Sequence, residues 1–193
     1  MHLPKTDVHF SKSAKKGYYQ RGPIMLAMAM TTNWDTAVDI GGHVGFISCD
    51  LAKFFRRVHT FEPIPDNIEC LVKNVPENVF VHGIALGAEK GMTSFENPWI
   101  GNSGGWTRTE GDHIKVKTLD SYELENVGLI KIDTQGSEFE VLSGAAETIK
   151  RCRPVVQAEC VDKDENLPAI QLLEDLGMTL MVTVNCDGIW AFR

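Results

Sequence analysis

Residues 38–45 read VDIGGHVG. Two apolar residues enclose an acid, and three glycines follow almost at once. Ala37 to Ile40 has the composition of a short buried strand. The glycines after it predict a turn whose backbone either takes up positive φ or is approached closely by another group. The following residues alternate. Val44 to Phe55 predicts a helix with Phe46, Ile47, Leu51, Phe54 and Phe55 on its apolar side, and Val58 to Phe61 predicts a second strand. Pro65 sits where the first turn of a helix tolerates proline, with Asp66 to Lys73 continuing it. Val79 to Leu86 predicts a third strand.

Downstream the pattern repeats around one exception. Gly87 to Asp112 reads as an irregular, glycine-rich region, and Ile114 to Leu119 as a strand at or near an edge. Leu129 to Asp133 is a strand. Ser137 to Lys150 is a helix in which Ser137 and Glu140 have the spacing of a capping box. Pro154 to Glu159 is a further strand, and Leu167 to Leu176 is an amphipathic helix closed by Gly177. Met178 to Val184 and Ile189 to Phe192 flank the turn formers Asn185, Asp187 and Gly188, a C-terminal antiparallel hairpin. Strand–helix alternation of this kind predicts a single α/β domain, residues 31–193, with a mostly parallel sheet covered by helices on both faces. Residues 1–30 are expected to be a partly helical or mobile segment. Its basic cluster of Lys5, Lys12, Lys15, Lys16 and Arg21 reads as solvated.

Composition narrows the partners. The chain has 193 residues, a net charge of −7 and a pI of about 5.3, which argues against a nucleic-acid surface because phosphates need a basic face. The longest apolar run, Pro23 to Met30, falls well short of the ~20 residues that a membrane span needs. The five cysteines, Cys49, Cys70, Cys152, Cys160 and Cys186, show no zinc-knuckle or redox spacing. Reduced thiols in a cytoplasmic protein are expected. A metal held by Asp133, Glu159 and His82 or His113 has no spacing to support it, and none is expected.

Parallel sheets of this class bind ligands at the carboxyl ends of their strands. At those ends stand Asp39 with the glycine turn, Glu62, Ile84 with Ala85, Asp133 and Glu159. A dinucleotide turn would need glycine at positions 43 and 46, where this chain has His43 and Phe46. A phosphate-binding P-loop is excluded as well, since no lysine–serine or lysine–threonine pair follows. Glu62 lies about 20 residues beyond Gly41, the distance at which a carboxylate meets a ribose.

These motifs, with FEPIPDN, IALGAEKG, VKTLDS, LIKIDTQGSEFEVLSGA and RPVVQAE in that order, resemble the FkbM-type methyltransferases of the class I, Rossmann-like fold. The likeness runs from Ala37 to Leu176. The chain departs from the usual family pattern at Gly42 and His43, where alanine and asparagine are common, and at Gln135, where glutamate is common. The resemblance implies S-adenosyl-L-methionine as cofactor and O-methylation of a hydroxyl on a sugar or other small metabolite. A catalytically weak cofactor-binding or scaffold protein with the same fold is the alternative. The cofactor would lie on Asp39, Gly41, Gly42, His43, Gly45, Glu62, Pro63, Ile64, Ile84, Ala85 and Asp133, its methionine portion passing over the glycines and its carboxylate meeting the free amides of the next helix. Glu62 would take the ribose. Asp133 is the first candidate for a base at the methyl, Glu159 the second and Glu138 the third; Lys131 is expected to pair with one of these acids. Trp99, Asn102, Ser103 and Trp106 are the expected acceptor contacts, the tryptophans stacking on a polar ring. The expected partner is a small-molecule acceptor, with neither nucleic acid nor membrane; a homodimer is left open.

Overall fold

The structure, a computed structural model, describes residues 1–159 and 167–193. In chain order the elements are α1 (Ser11–Lys16), α2 (Arg21–Met30), β1 (Thr36–Ile40), α3 (Phe46–Leu51), β2 (Arg57–Phe61), α4 (Pro65–Asn74), β3 (Val79–His82), β4 (Ala85–Leu86), β5 (Gly91–Glu96) and β6 (Thr107–Lys117). A 3₁₀ turn (Asp120–Tyr122) follows, and then β7 (Val127–Ile132), α5 (Glu138–Ser143), α6 (Ala146–Cys152), β8 (Val155–Glu159), α7 (Leu167–Asp175), β9 (Met178–Val184) and β10 (Asp187–Phe192).

Seven strands form one sheet in the order β3-β2-β1-β7-β8-β10-β9. The first five run parallel, and β10 closes antiparallel onto β8 and β9. β1 and β7 are buried along their whole length, as near-continuous apolar runs at the centre of a covered parallel sheet should be. One core packs α5, α6 and α7 on one face through Val141, Leu142, Ile149 and Leu173. A second packs α2 and α3 on the other through Ile24, Ala27, Met28 and Leu51. The expected α/β architecture is thus present, and the C-terminal hairpin with it. No described helix is long and apolar enough to cross a membrane.

Several expected boundaries move, each for a local reason. The helix expected over 44–55 is α3 alone, because Gly45 is left-handed at φ +97° and starts it late. The expected third strand breaks at Gly83–Ile84: β3 stays in the main sheet while β4 pairs with β6. The region 87–112 is largely ordered, since β5 and β6 form an antiparallel hairpin that completes a three-stranded sheet with β4. The helix expected over 137–150 divides into α5 and α6 at Gly144, where a Cβ would stand 2.1 Å from the Gly87 carbonyl oxygen. Asp120 then caps α6, its carboxylate accepting the amides of Glu147 and Thr148 at 3.1 and 2.7 Å. The capping box does not form: Ser137 is the N-cap residue but makes no side-chain capping bond. The N-terminal lysines are exposed, as a solvated cluster should be, yet Pro4 and Phe10 are buried and Asp7 is bonded into the loop after β5. Cys49, Cys70, Cys152 and Cys186 are free thiols, and Cys160 lies outside the described residues.

Candidate active site

A cavity of about 350 Å³ opens at the carboxyl ends of β1, β2, β7 and β8. Its size suits a small ligand. Of the residues expected there, Gly41, Gly42, His43, Glu62, Pro63, Ile64, Ile84, Ala85, Asp133, Glu159, Trp99, Asn102, Ser103 and Trp106 all line it.

Asp39, Gly45 and Glu138 do not. Asp39 is fully buried behind the turn, where it accepts the Ser48 hydroxyl at 2.5 Å and pairs with Lys131 Nζ at 3.3 Å. It anchors α3 to β1 and leaves the cavity wall to its neighbours. A Cβ on Gly45 would meet Leu71 and Val75 at 2.9 Å, so this glycine serves helix packing. The glycine turn also differs from its expected purpose. Gly41 and Gly42 both donate to the Phe61 carbonyl, at 3.0 and 3.1 Å, and Gly45 donates to Gly42. His43 N–H donates to Glu62 Oε2 at 2.8 Å. These turn amides are committed to protein partners and are not offered to a ligand carboxylate. The glycines are needed because protein atoms press on the turn: a Cβ on Gly41 would lie 1.9 Å from the Asp133 carbonyl oxygen, and one on Gly42 2.0 Å from Thr60 Oγ1.

Glu62 directly follows β2, with its side chain held in place. Besides His43 N–H it accepts Ile64 N–H at 3.0 Å and Asn67 Nδ2 at 3.3 Å. Burial raises its pKa, and these hydrogen bonds oppose the rise. Next to it, His43 Nε2 lies 2.6 Å from Ser103 Oγ, and Ser103 donates both its hydroxyl and its amide to Asp7. With the hydroxyl proton directed at Asp7, the imidazole must donate through Nε2–H. Burial would raise Asp7, but the bonds from Ser103 outweigh it and hold this carboxyl below the usual range. This chain of contacts ties residues 7–10 to the 97–106 loop, assisted by Val8 and His9 N–H on the Gly101 carbonyl. The N-terminal segment thereby brings Phe10 and Tyr19 into the cavity wall. The sequence signal for this was the pair of aromatics inside an otherwise polar, basic stretch.

Burial lowers His43 to about 4, so it is neutral at physiological pH. The sign of its effect follows from linkage. The unfolded chain binds a proton near pH 6.5 and the folded one does not until about 4, so stability is lost as pH falls across that window. Glu62, Glu159 and Asp187, all raised by burial, act in the opposite sense, so only a comparison with the parent isolates the histidine. We expect the melting temperature of His43→Gln to depend less steeply on pH between 6.5 and 4 than that of the parent. Equal slopes would show that the imidazole is not buried.

At the other side of the cavity three carboxylates stand in a row on adjacent strands: Asp133 after β7, Glu159 ending β8, and Asp187 starting β10. Glu159 and Asp187 are direct register partners across the strands. Glu159 is raised by burial, then by the charge of Asp133, and it accepts the Cys186 thiol at 3.2 Å. Gln135, left-handed at φ +54°, bridges the row by donating Nε2 to Asp133 at 3.0 Å and Glu159 at 3.4 Å. Lys131 is buried, as its place in β7 requires, and pairs with Asp39 and with Asp133 at 3.7 Å while donating to the Gly41 carbonyl at 3.1 Å. Burial would lower its pKa, but the two acids outweigh that and keep it charged. Glu138 is not available as a base. It is buried, and its carboxylate accepts Thr134 N–H, Thr134 Oγ1 and Gly136 N–H, holding the 134–136 turn. Gln157 and Asp187 were not anticipated. Gln157 was legible in principle, since it is two residues before Glu159 in a strand and so shares its face. Among the described residues no group of acids, histidines and cysteines is placed to hold a metal ion.

Residues 39–179 match the model of the methyltransferase FkbM domain. The hexuronic acid methyltransferase AglP of Haloferax volcanii is 30% identical over 132 residues, 63% of this chain and 54% of that protein. The chain thus spans about half the length of this curated relative. Two solved structures are similar in fold. The methyltransferase FkbM of Methylobacillus flagellatus superposes with a TM-score of 0.56 at 19% identity, covering 98% of this chain and 49% of that one. The precorrin-6y C5,15-methyltransferase of Geobacter metallireducens superposes with a TM-score of 0.59 at 15% identity, covering 100% and 93%. The fold is that of the class I methyltransferases. With nearly three quarters of its length inside the matched model, the chain belongs to the FkbM methyltransferase domain family.

Proposed function

We propose that this protein is an S-adenosylmethionine-dependent O-methyltransferase acting on a hydroxyl of a carbohydrate or a related small metabolite. The observation that carries the reading is the cavity that gathers Glu62, Asp133 and Glu159 at neighbouring strand ends. The residues present fit the cofactor's parts. The Glu62 carboxylate is oriented by backbone amides at the end of β2 and has one lone-pair site left, on Oε2, for a ribose hydroxyl. Ile64, Ile84, Ala85 and Leu86 supply an apolar wall for a base. When bound, the cofactor supplies a sulfonium methyl whose S–C bond breaks as the acceptor's O–C bond forms.

The chain's own task is then to align the acceptor and remove its proton. Asp133 stands against the glycine turn, its backbone amide donating to Ile40 at 3.1 Å, which supports a role for it toward the cofactor. Glu159 lies one strand further out, and its raised pKa suits it better to receive the proton. The name of the Haloferax relative points to carbohydrate chemistry in a related protein. The exposed Trp99 ring at the mouth of the cavity suits a sugar face.

Calorimetry with S-adenosylmethionine tests the reading. We expect binding by the parent and at least ~10-fold weaker binding by a folded Glu62→Ala variant, since hydrogen bonds to a charged group contribute roughly 1.5–3 kcal/mol. Absence of cofactor binding by the parent would sink the reading; unchanged affinity in the variant would remove Glu62 from the ribose.

A further inference from the structure

Resting on that reading, we propose that the acceptor is a polyhydroxyl compound that carries no carboxylate beside the methylated hydroxyl. The wall formed by β8 and β10 consists of hydrogen-bond acceptors. Glu159 and Asp187 face each other as cross-strand partners, an arrangement of like charges that destabilises a sheet when it serves no purpose. Beside them Gln157, nine-tenths buried and lining the same cavity, donates its Nε2 to Asp187 at 2.9 Å and leaves its Oε1 without a partner among the described residues. A buried carbonyl oxygen of that kind costs free energy until a donor reaches it. Among the described residues the bonds made to Glu159 come from one thiol and one long amide contact, so that carboxylate also has capacity left.

Among the described residues that line the cavity Lys131 is the one cation that acts on these groups, and it is outnumbered by Asp39, Asp133, Glu159 and Asp187. Lys131 is committed to Asp39, Asp133 and the Gly41 carbonyl. Arg108 lies at the far end, against Gly87 beyond β4, where it donates to Thr93. Each acceptor class is therefore treated differently. A carboxylate-bearing sugar meets like charge at close range and is disfavoured. Three neighbouring hydroxyls satisfy every group on this wall: two donate to Gln157 Oε1 and Asp187, and the third can give its proton to Glu159.

The test is a matched panel of methyl glycosides and methyl uronosides in the gluco, galacto and manno series, offered with S-adenosylmethionine. Release of S-adenosylhomocysteine is followed, with cofactor binding measured separately by calorimetry. We expect kcat/KM for at least one neutral glycoside to exceed that of its uronoside by ~10-fold or more. We also expect Asp187→Asn, shown to be folded by its melting curve, to narrow that ratio. A uronoside methylated on any oxygen as fast as its neutral partner overturns the inference and leaves methyl transfer standing. An unchanged ratio in Asp187→Asn overturns the electrostatic account, and with it the inference. Turnover of no panel member by cofactor-bound protein overturns the named class. Failure to bind the cofactor is read in the calorimeter alone and removes the functional reading together with this one.

Discussion

Gly41→Val is expected to unfold the protein, or to lower its melting temperature by roughly 10 °C or more, before any question of ligand arises. Gly41 is left-handed at φ +79° and carries the chain from β1 into the turn. A valine there costs about 1–2 kcal/mol for the left-handed backbone alone. Its Cβ would also stand 1.9 Å from the Asp133 carbonyl oxygen and 3.0 Å from the carbonyl carbon. Rotating a side chain does not relieve a clash with main-chain atoms. The two central strands must separate or the turn must move, at about 1–3 kcal/mol or more. Together this is a large fraction of the ~5–15 kcal/mol that holds a domain folded. Thermal unfolding of parent and variant decides the matter. A variant that melts like the parent yet fails to bind S-adenosylmethionine would return the glycine to the role its motif first implied, clearance for the ligand.

Glu159→Gln is expected to reduce turnover by ~10²-fold or more with cofactor affinity little changed. The side chain keeps its size, and its amide can still face Gln135 and Cys186, but it no longer accepts a proton. Because burial and the charge of Asp133 raise Glu159, the acid limb of the parent's pH–rate profile should lie above the ordinary carboxylate range. Turnover rises as pH increases through that value, since the base must be ionised, and the limb should disappear in the variant. Asp133→Asn is the companion. Placed against the glycine turn and 3.7 Å from Lys131, it should weaken cofactor binding as well as turnover. If Asp133→Asn instead abolishes turnover at normal cofactor affinity while Glu159→Gln is active, the two acids exchange roles.

Much of this protein was legible without coordinates. Local patterns sufficed for β1, β2, β7 and β8, because strands buried on both faces are continuous apolar runs that few other structures explain. The order of glycine turn, Glu62 and Asp133 was enough to anticipate the cavity they line, because a parallel sheet collects the carboxyl ends of its strands along one edge whatever the details of packing. Period two in β7 likewise put Lys131 beside Asp133 before any distance was known.

What the tertiary structure decided is how those residues divide their work. Asp39 and Glu138 carry the same chemistry as Glu62 and Glu159, yet the first pair are structural anchors, one bonded to Ser48 and Lys131, the other to the amides of the 134–136 turn. Sequence spacing cannot separate them, because the difference lies in which atoms arrive from elsewhere in the chain. The same holds for the three glycines, whose need comes from Asp133, Thr60 and Leu71, residues distant in sequence. The 87–112 region gave no strand signal because its hairpin leaves many side chains of both faces exposed, which erases the alternation on which such readings depend. Residues 7–20 became part of the cavity wall only through the Asp7–Ser103–His43 contacts and the aromatic packing of Phe10, while Asp187 reached Glu159 only through the antiparallel register of β10 on β8. Local sequence sets the period and the turns of a chain. Long-range contacts determine which of its acids remain free to act.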